Sequence, residues 1–209
     1  MSGAARAPHP PRELVLGTTN AGKVRELALL LEPHGIRVLS LRDCGGGATI
    51  EETGSTFAEN AALKAAGQAR LLGRFVLAED SGLCVEALGG APGVHSARYS
   101  GTGDDEMNNE LLLRRLRDVP ASRRGAWYAC HAALADPGGR VVAEAHGTCH
   151  GRIAEGRSGV GGFGYDPLFV VLEYHRTFGE LAPAVKSMIS HRARAMRAML
   201  PEVLRHLDG

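Results

Sequence analysis

An α/β fold built on a mixed sheet is the class this sequence predicts, and three observations carry it. Short apolar runs alternate with helical periodicity through the N-terminal half, the pattern of strands and helices packed in layers. A long alternating hairpin follows in the middle, so the sheet cannot be purely parallel. The chain has 209 residues, 44% of them hydrophobic and 22% charged. That is enough to bury a sizeable core without metal or disulfide staples.

The elements read in order. "RELVLGTT" is strand-like, and "NAGKVRELALLLEPHG" sets Val24, Leu27, Ala28 and Leu31 at helical spacing before the stop signals Pro33 and Gly35. "IRVLSL" is a second strand, and "CGGGATIEETG" a loop carrying Glu51 and Glu52. "TFAENAALKAAGQARLLG" opens with a capping box, Thr56 at N-cap and Glu59 at N3. "RFVLAED" is a third strand that ends in two carboxylates, followed by a segment so rich in glycine that it reads as unpacked. "DDEMNNELLLRRLRDVP" is an amphipathic helix ending before Pro120, its Leu/Met stripe suited to the core or to a dimer seam, with the core preferred. "GAWYACHAALADPGGRVVAEAHGTCHGRI" is the hairpin, with "DPGG" as its turn. "EGRSGVGGFGYDPLFVV" is a glycine loop leading into a strand. The tail "LAPAVKSMISHRARAMRAMLPEVLRHL" is helical, with Pro201 bending or restarting it.

Several function classes lose support. A formal net charge of +1 gives no basic field for nucleic acid. No apolar run approaches the roughly 18–20 residues of a membrane helix. Residues 1–11 lack the apolar core of a signal peptide and read as a disordered leader before a single domain, residues 12–209, with cytoplasm as the default location. The four cysteines form no CxxC pair and read as reduced thiols. Cys130-His131 and Cys149-His150 lie in alternating text, where neighbours face opposite ways, so they read as strand residues rather than zinc ligands.

Five stretches carry candidate chemistry. "TTNAGK" (Thr18, Thr19, Asn20, Ala21, Gly22, Lys23) joins the first strand to the first helix, where N–H groups and the helix dipole favour an anion. A plain strand-to-helix turn fits the same text, and the Walker A spacing is absent. Asn60 and Lys64, four apart, share a helical face. Glu79 and Asp80 at the strand end should face opposite sides, so only one leads into a given cleft. Together with Glu51 and Glu52 they offer carboxylates to Mg²⁺, or form a solvated acidic loop. "GGFGYDPLF" (Phe163, Gly164, Tyr165, Asp166) can lay aromatics along a flat ring. "KSMISHR" supplies Lys186, His191 and Arg192, with Lys186 and Ser190 on one helical face. The inventory fits a magnesium–nucleoside triphosphate.

The segments "TTNAGKVREL", "EETGSTFAENAALKA", "AEDSGLCVEALGGAPGVHSARYSG", "GGFGYDPLF" and "KSMISHR", in this order, resemble the inosine triphosphate pyrophosphatase family. The resemblance spans about residues 14–204. It implies an elongated α/β structure of two lobes around a mixed sheet with flanking helices, a central active-site cleft between the lobes, and a homodimer. The implied reaction converts a non-standard purine nucleoside triphosphate (ITP, dITP, XTP) and water to the monophosphate and pyrophosphate, with Mg²⁺.

Carried over by resemblance, Asp80 is the catalytic carboxylate, as general base or metal ligand, and Glu51 is the second metal-side acid, with Glu52 adjacent. Thr18 to Lys23 match the phosphate-binding turn, Lys64 the lysine reaching the phosphates, and Ser81 a substrate contact. Phe163 to Asp166 match the base-stacking loop; Lys186, His191 and Arg192 match the nucleotide readers. The text departs at residues 183–185, Pro-Ala-Val, where many relatives carry acids. A buried donor from His191 or Arg192 aimed at the 6-oxo group would be left unpaired by ATP and so set selectivity. A related enzyme for pyrimidine or methylated nucleotides and a nucleotide sensor without turnover are the rival readings.

Overall fold

The computed structural model describes residues 12–208; the leader expected at residues 1–11 lies outside them. Seven strands form one sheet: β1 (Arg12–Leu16), β2 (Ile36–Ser40), β3 (Val76–Val85), β4 (Gly125–Ala135), β5 (Val141–Ile153), β6 (Phe169–Val171) and β7 (Arg176–Thr177), in the order β2-β1-β3-β4-β5-β6-β7. β1 runs parallel to β2 and β3, whereas every neighbour from β3 to β7 is antiparallel. The mixed sheet is therefore as the alternation and the hairpin require. In the hairpin turn, Asp136 Oδ1 accepts from the N–H groups of Gly138 and Arg140, both at 3.0 Å. That is an Asx-type turn and explains "DPGG" at this point.

Helices cover both faces. α1 (Ala21–Leu31) and α5 (His191–Leu207) lie on one, where Leu27, Leu31, Met196, Met199 and Val203 bury Leu14, Leu16, Leu77 and Leu134. Each such fully buried side chain contributes about 1.5–3 kcal/mol. α2 (Phe57–Leu72) lies on the other, where Ala61, Ala65 and Ala69, four apart, meet Val15, Val76, Ala78 and Ala133. Its start is the expected capping box: Thr56 accepts from Glu59 N–H and Glu59 accepts from Thr56 N–H, each at 3.1 Å. A second cluster occupies the other end of the long strands, where α3 (Asp105–Arg115) and Leu116 pack with Leu83, Tyr128, Phe169 and Phe178. These clusters thus share β3, β4 and β5. Leu112 of the α3 stripe is buried and Met107 is exposed, so the stripe serves mainly the core.

Two sequence expectations are corrected here. β3 does not end at its acids: it runs to Val85, because β4 supplies a continuous ladder from Val76↔Ala135 to Val85↔Ala126. What ends is the partner on the other side, since β1 pairs with β3 only through Val15 and Leu16. Nor is the glycine-rich segment unpacked. Ser96 is buried, and its Oγ accepts from Leu83 N–H at 2.9 Å and donates to Gly93 O at 2.6 Å. A Cβ on Gly82 would stand 2.4 Å from Ser96 Oγ and 2.6 Å from Gly93 O, so glycine there permits the close approach.

The tail also breaks elsewhere than at Pro201. α4 (Pro183–Ile189) ends at Ser190, whose N–H bonds Lys186 O at 3.0 Å while its Oγ accepts from Ala193 N–H at 3.2 Å to cap α5. Lys186 and Ser190 therefore do not share one helix. Pro201 and Arg197 both lie on the exposed side of α5, which continues through them.

The first turn of α5 rests on the backbone of β5. A Cβ on Gly147 would stand 2.4 Å from both His191 O and Ala195 N. Gly147→Ala should cost about 1–3 kcal/mol, which lowers Tm by about 3–10 °C. Thermal denaturation measures it, and an unchanged Tm would contradict the contact.

Candidate active site

The connections place a cleft beyond the carboxyl ends of β1 and β3. From β1 the chain crosses through α1 on one face to β2, then through α2 on the other face to β3 on the far side of β1. Such a switch point opens a crevice in α/β sheets. The cleft holds about 400 Å³ and is lined by Thr18, Thr19, Lys23, Glu52, Lys64 and Glu79 among others.

The turn between β1 and α1 forms its floor. Thr18 N–H returns to Leu16 O at 2.7 Å, and Thr18 Oγ1 accepts from Asn20 N–H at 3.2 Å. Asn20 Oδ1 accepts from Lys23 N–H at 3.2 Å, which opens the helix. For Ala21 and Gly22 only backbone helix is described. Thr19 and Asn20 are exposed at the rim.

Alternation along β3 sends its adjacent acids to opposite faces, as the period-two geometry requires. On the α2 face, Asp80 Oδ1 stands 2.9 Å from Lys64 Nζ, and Asn60 Nδ2 donates to Asp80 Oδ2 at 3.3 Å. Burial raises the Asp80 carboxyl above its ordinary range even though Lys64 opposes it. Lys64 Nζ also reaches Glu52 Oε1 at 3.3 Å. Of the two candidate acids it is therefore Glu52 that the structure brings to Lys64 beside Asp80. Glu51 is exposed, whereas Glu52 is part-buried at the ion pair.

On the α1 and α5 face, the Glu79 side chain is largely covered and meets three donors. Lys23 Nζ stands 2.7 Å from Oε1, Arg192 Nε 2.8 and 3.0 Å from the two oxygens, and Cys130 Sγ donates to Oε2 at 2.9 Å. Burial pushes this carboxyl up, but Arg192 and Lys23 outweigh it and hold it well below the usual range. Ser81 falls on the same face, one residue beyond Asp80.

Past Arg192 lies the glycine loop. Gly164 N–H donates to Asp105 Oδ2 at 2.7 Å, Asn109 Nδ2 donates to Gly164 O at 2.9 Å, and Phe163 N–H donates to Asp166 Oδ2 at 2.9 Å. Gly164 has φ +60°, a left-handed turn that sends its two aromatic neighbours opposite ways. Phe163 is 54% exposed, with Lys186 Nζ 4.5 Å and Arg192 Cζ 5.6 Å from its ring centre. Tyr165 is buried, and its hydroxyl donates to Ser96 O at 2.8 Å. Of the two aromatics of the loop only Phe163 presents its ring to solvent, while Tyr165 anchors the loop. Asp166 is buried in an ion pair with Lys186.

His191 is buried and stacks on Tyr128, ring centres 4.6 Å apart and planes 10° from parallel. Burial and the neighbouring Arg192 lower its pKa to about 3, so the imidazole is neutral, and its Nδ1 has no hydrogen-bond partner.

The structure brings Lys23, Lys64, Asp80 and Arg192 to one crossing of the sheet. Phe163, Lys186 and His191 stand beyond Arg192 rather than in the 400 Å³ cleft. Sequence reasoning passed over Glu79 as a bridge, Asn60 as a partner of Asp80, and Asp105 and Asn109 as supports of the loop. Only the Asn60/Lys64 spacing offered a signal. Among the described residues no group of three or more His, Cys, Asp or Glu side chains is placed to hold a metal, and all four cysteines are free.

A site with paired lysines at one end and a flat exposed ring at the other suits a ligand with an anionic tail and an aromatic head. That defines the class: a mixed-sheet α/β protein with a cleft lined by lysines and carboxylates at a switch point of the sheet. More particularly, the chain belongs to the Ham1 family, whose model matches residues 14–202. A dITP/XTP pyrophosphatase of Rhodopirellula baltica is 57% identical over 194 residues, covering 92% of this chain and 93% of that protein. The structure of a HAM1 protein from Coxiella burnetii superposes with a TM-score of 0.86 at 38% identity, covering 92% of this chain and 98% of that one. A nucleoside-triphosphatase, dITP/XTP pyrophosphatase, of Mycobacterium abscessus gives 0.75 at 43% identity, over 90% and 99%.

A pH test follows from His191. Its folded pKa of about 3 lies below the ordinary value of 6.5, so only the unfolded chain takes up the proton as pH falls. Stability is full above 6.5 and declines below it. Between pH 7 and 5 the native chain should lose about 2 kcal/mol more than His191→Phe. Urea denaturation at the two pH values measures this, and equal losses would contradict a neutral buried imidazole.

Proposed function

We propose that this chain hydrolyses non-standard purine nucleoside triphosphates, ITP, dITP and XTP, to the monophosphate and pyrophosphate, with Mg²⁺ as cofactor. The family and the relatives named dITP/XTP pyrophosphatase support the reaction. The observation that carries the site assignment is Lys64 Nζ between Asp80 Oδ1 and Glu52 Oε1, at 2.9 and 3.3 Å.

Charge balance supports the metal. The cations Lys23, Lys64, Lys186 and Arg192 are matched by Glu52, Glu79, Asp80 and Asp166 in the ion pairs of the site. A triphosphate therefore meets no net positive field from these eight side chains. Two carboxylate oxygens already converge on one positive charge at Lys64. Such a donor set fits a hard divalent cation that takes its remaining ligands from phosphate and water. Asp80 and Glu52 would hold Mg²⁺, which when bound neutralises phosphate charge as it builds in the transition state.

The chain's own groups divide the remaining work. Lys23 and the N–H groups opening α1 hold phosphate oxygens, and Lys64 reaches them from α2. Asp80 accepts the proton of the attacking water. Phe163 stacks on the base, with Arg192 and Lys186 at its ring. Arg192 offers only donors, which suit the 6-oxo acceptor of hypoxanthine and xanthine and meet the 6-amine of adenine donor to donor. The homodimer and the cytoplasmic location belong to the same proposal. Among the described residues no helix is long and apolar enough to cross a membrane. Sedimentation should report twice the 22.1 kDa of one chain.

Pyrophosphate release across a panel of purine and pyrimidine triphosphates tests the reading. ITP, dITP and XTP should exceed ATP in kcat/KM by about 10⁴, and chelating Mg²⁺ should stop turnover. Comparable kcat/KM for ATP would overturn the selectivity. Asp80→Asn should lower kcat by at least about 10²–10⁴. It should leave Tm unchanged or higher, because an ionised Asp80 is desolvated in the fold. A variant with near-native turnover would remove Asp80 from the mechanism.

A further inference from the structure

We infer that Glu79 is a positioning residue that couples recognition of the base to capture of the phosphates; the inference rests on the reading above and adds this residue to it. Glu79 touches no proposed reacting atom. Its carboxylate instead ties together two cations that serve opposite ends of the ligand. Lys23, from the turn beneath the phosphates, takes Oε1 at 2.7 Å, and Arg192, beside the Phe163 ring, takes both oxygens through Nε at 2.8 and 3.0 Å. The Glu79 side chain is 8% exposed and that of Arg192 5%, so little water screens their pair, whereas Lys23, 25% exposed, stays open to the cleft.

Two further observations make this bridge the link between the ends. α1 and α5, which carry Lys23 and Arg192, are not fully packed beside the site. A cavity of about 60 Å³ opens there between Leu27 and Leu30 of α1 and Arg192, Met196 and Arg197 of α5. Apolar contact thus fixes their spacing incompletely at this point, and the shared carboxylate joins them. Second, Cys130 Sγ donates to Glu79 Oε2 at 2.9 Å from β4, which holds the carboxylate to the sheet.

The sign of the coupling follows from a charge shared between two partners. When phosphate draws Lys23 toward the tail, the carboxylate is left to Arg192, and their pair strengthens in a buried setting. Arg192 is then held more firmly against the base. Phosphate binding should therefore tighten base binding, and by reciprocity base binding should tighten phosphate binding. A purine that cannot use Arg192 gains nothing from the coupling, so discrimination grows once the tail is seated.

Calorimetry on the full chain tests this with two fragments of the substrate, inosine and inorganic pyrophosphate with Mg²⁺. In the native chain saturating pyrophosphate should tighten inosine binding by about fivefold or more. In Glu79→Gln each fragment should still bind while the enhancement falls below about twofold. Glu79→Asp keeps the charge that Lys23 and the buried Arg192 need but is one methylene too short to span both, so it should fold and also lose the coupling. In steady state the ITP-to-ATP ratio of kcat/KM should fall in both variants, whereas a purely structural defect would lower both substrates together. Undiminished enhancement in a folded Glu79 variant would overturn the inference. A native chain that binds both fragments independently would overturn it while leaving the proposed function standing. A native chain that binds neither would sink both.

Discussion

Adjacent carboxylates on one strand, aimed at opposite faces of the sheet, are the constraint on which the rest of this structure depends. The pleat alone dictates that Glu79 and Asp80 diverge. The early end of β1 then leaves both beside an open crevice instead of inside a ladder on each side. Each is met by a lysine from the helix on its own face, Lys23 from α1 and Lys64 from α2. One short strand ending thus assembles cations from two elements that never touch the same side of the sheet.

The two acids end in different states for physical reasons. Glu79 is the more buried, yet two cations and a thiol hold it ionised. Asp80 has one ammonium, shared with Glu52, and one amide, and burial prevails over them. A fully compensated carboxylate is fit to hold other groups in place, and an under-compensated one is fit to take a proton or a metal. Similar divergence separates Phe163 from Tyr165, where a left-handed glycine turns one ring to solvent and the next into the core.

Much of this was legible in the sequence where the signal is local. The capping box at Thr56 and Glu59, the Asx turn of "DPGG" and the opposite faces of Glu79 and Asp80 all need only a few residues of context. What failed was set by distant partners. β3 continues past Asp80 because β4 pairs with it, and glycine text hides that strand. Glu52 rather than Glu51 stands beside Asp80 because it meets Lys64, twelve residues on. Ser190 breaks the tail by capping α5, a weak signal beside the conspicuous Pro201. Glu79 as a bridge was out of reach, since Arg192 lies 113 residues away.

The most direct measurement is a crystal structure with a non-hydrolysable α,β-imido analogue of ITP and Mg²⁺. The base should stack on Phe163 with its 6-oxo group accepting from Arg192, and the phosphates should lie between Lys23 and Lys64 with the α-phosphorus facing Asp80. Phosphates bound away from that crossing of β3, or a base seated off Phe163, would contradict the single nucleotide spanning both faces of the strand.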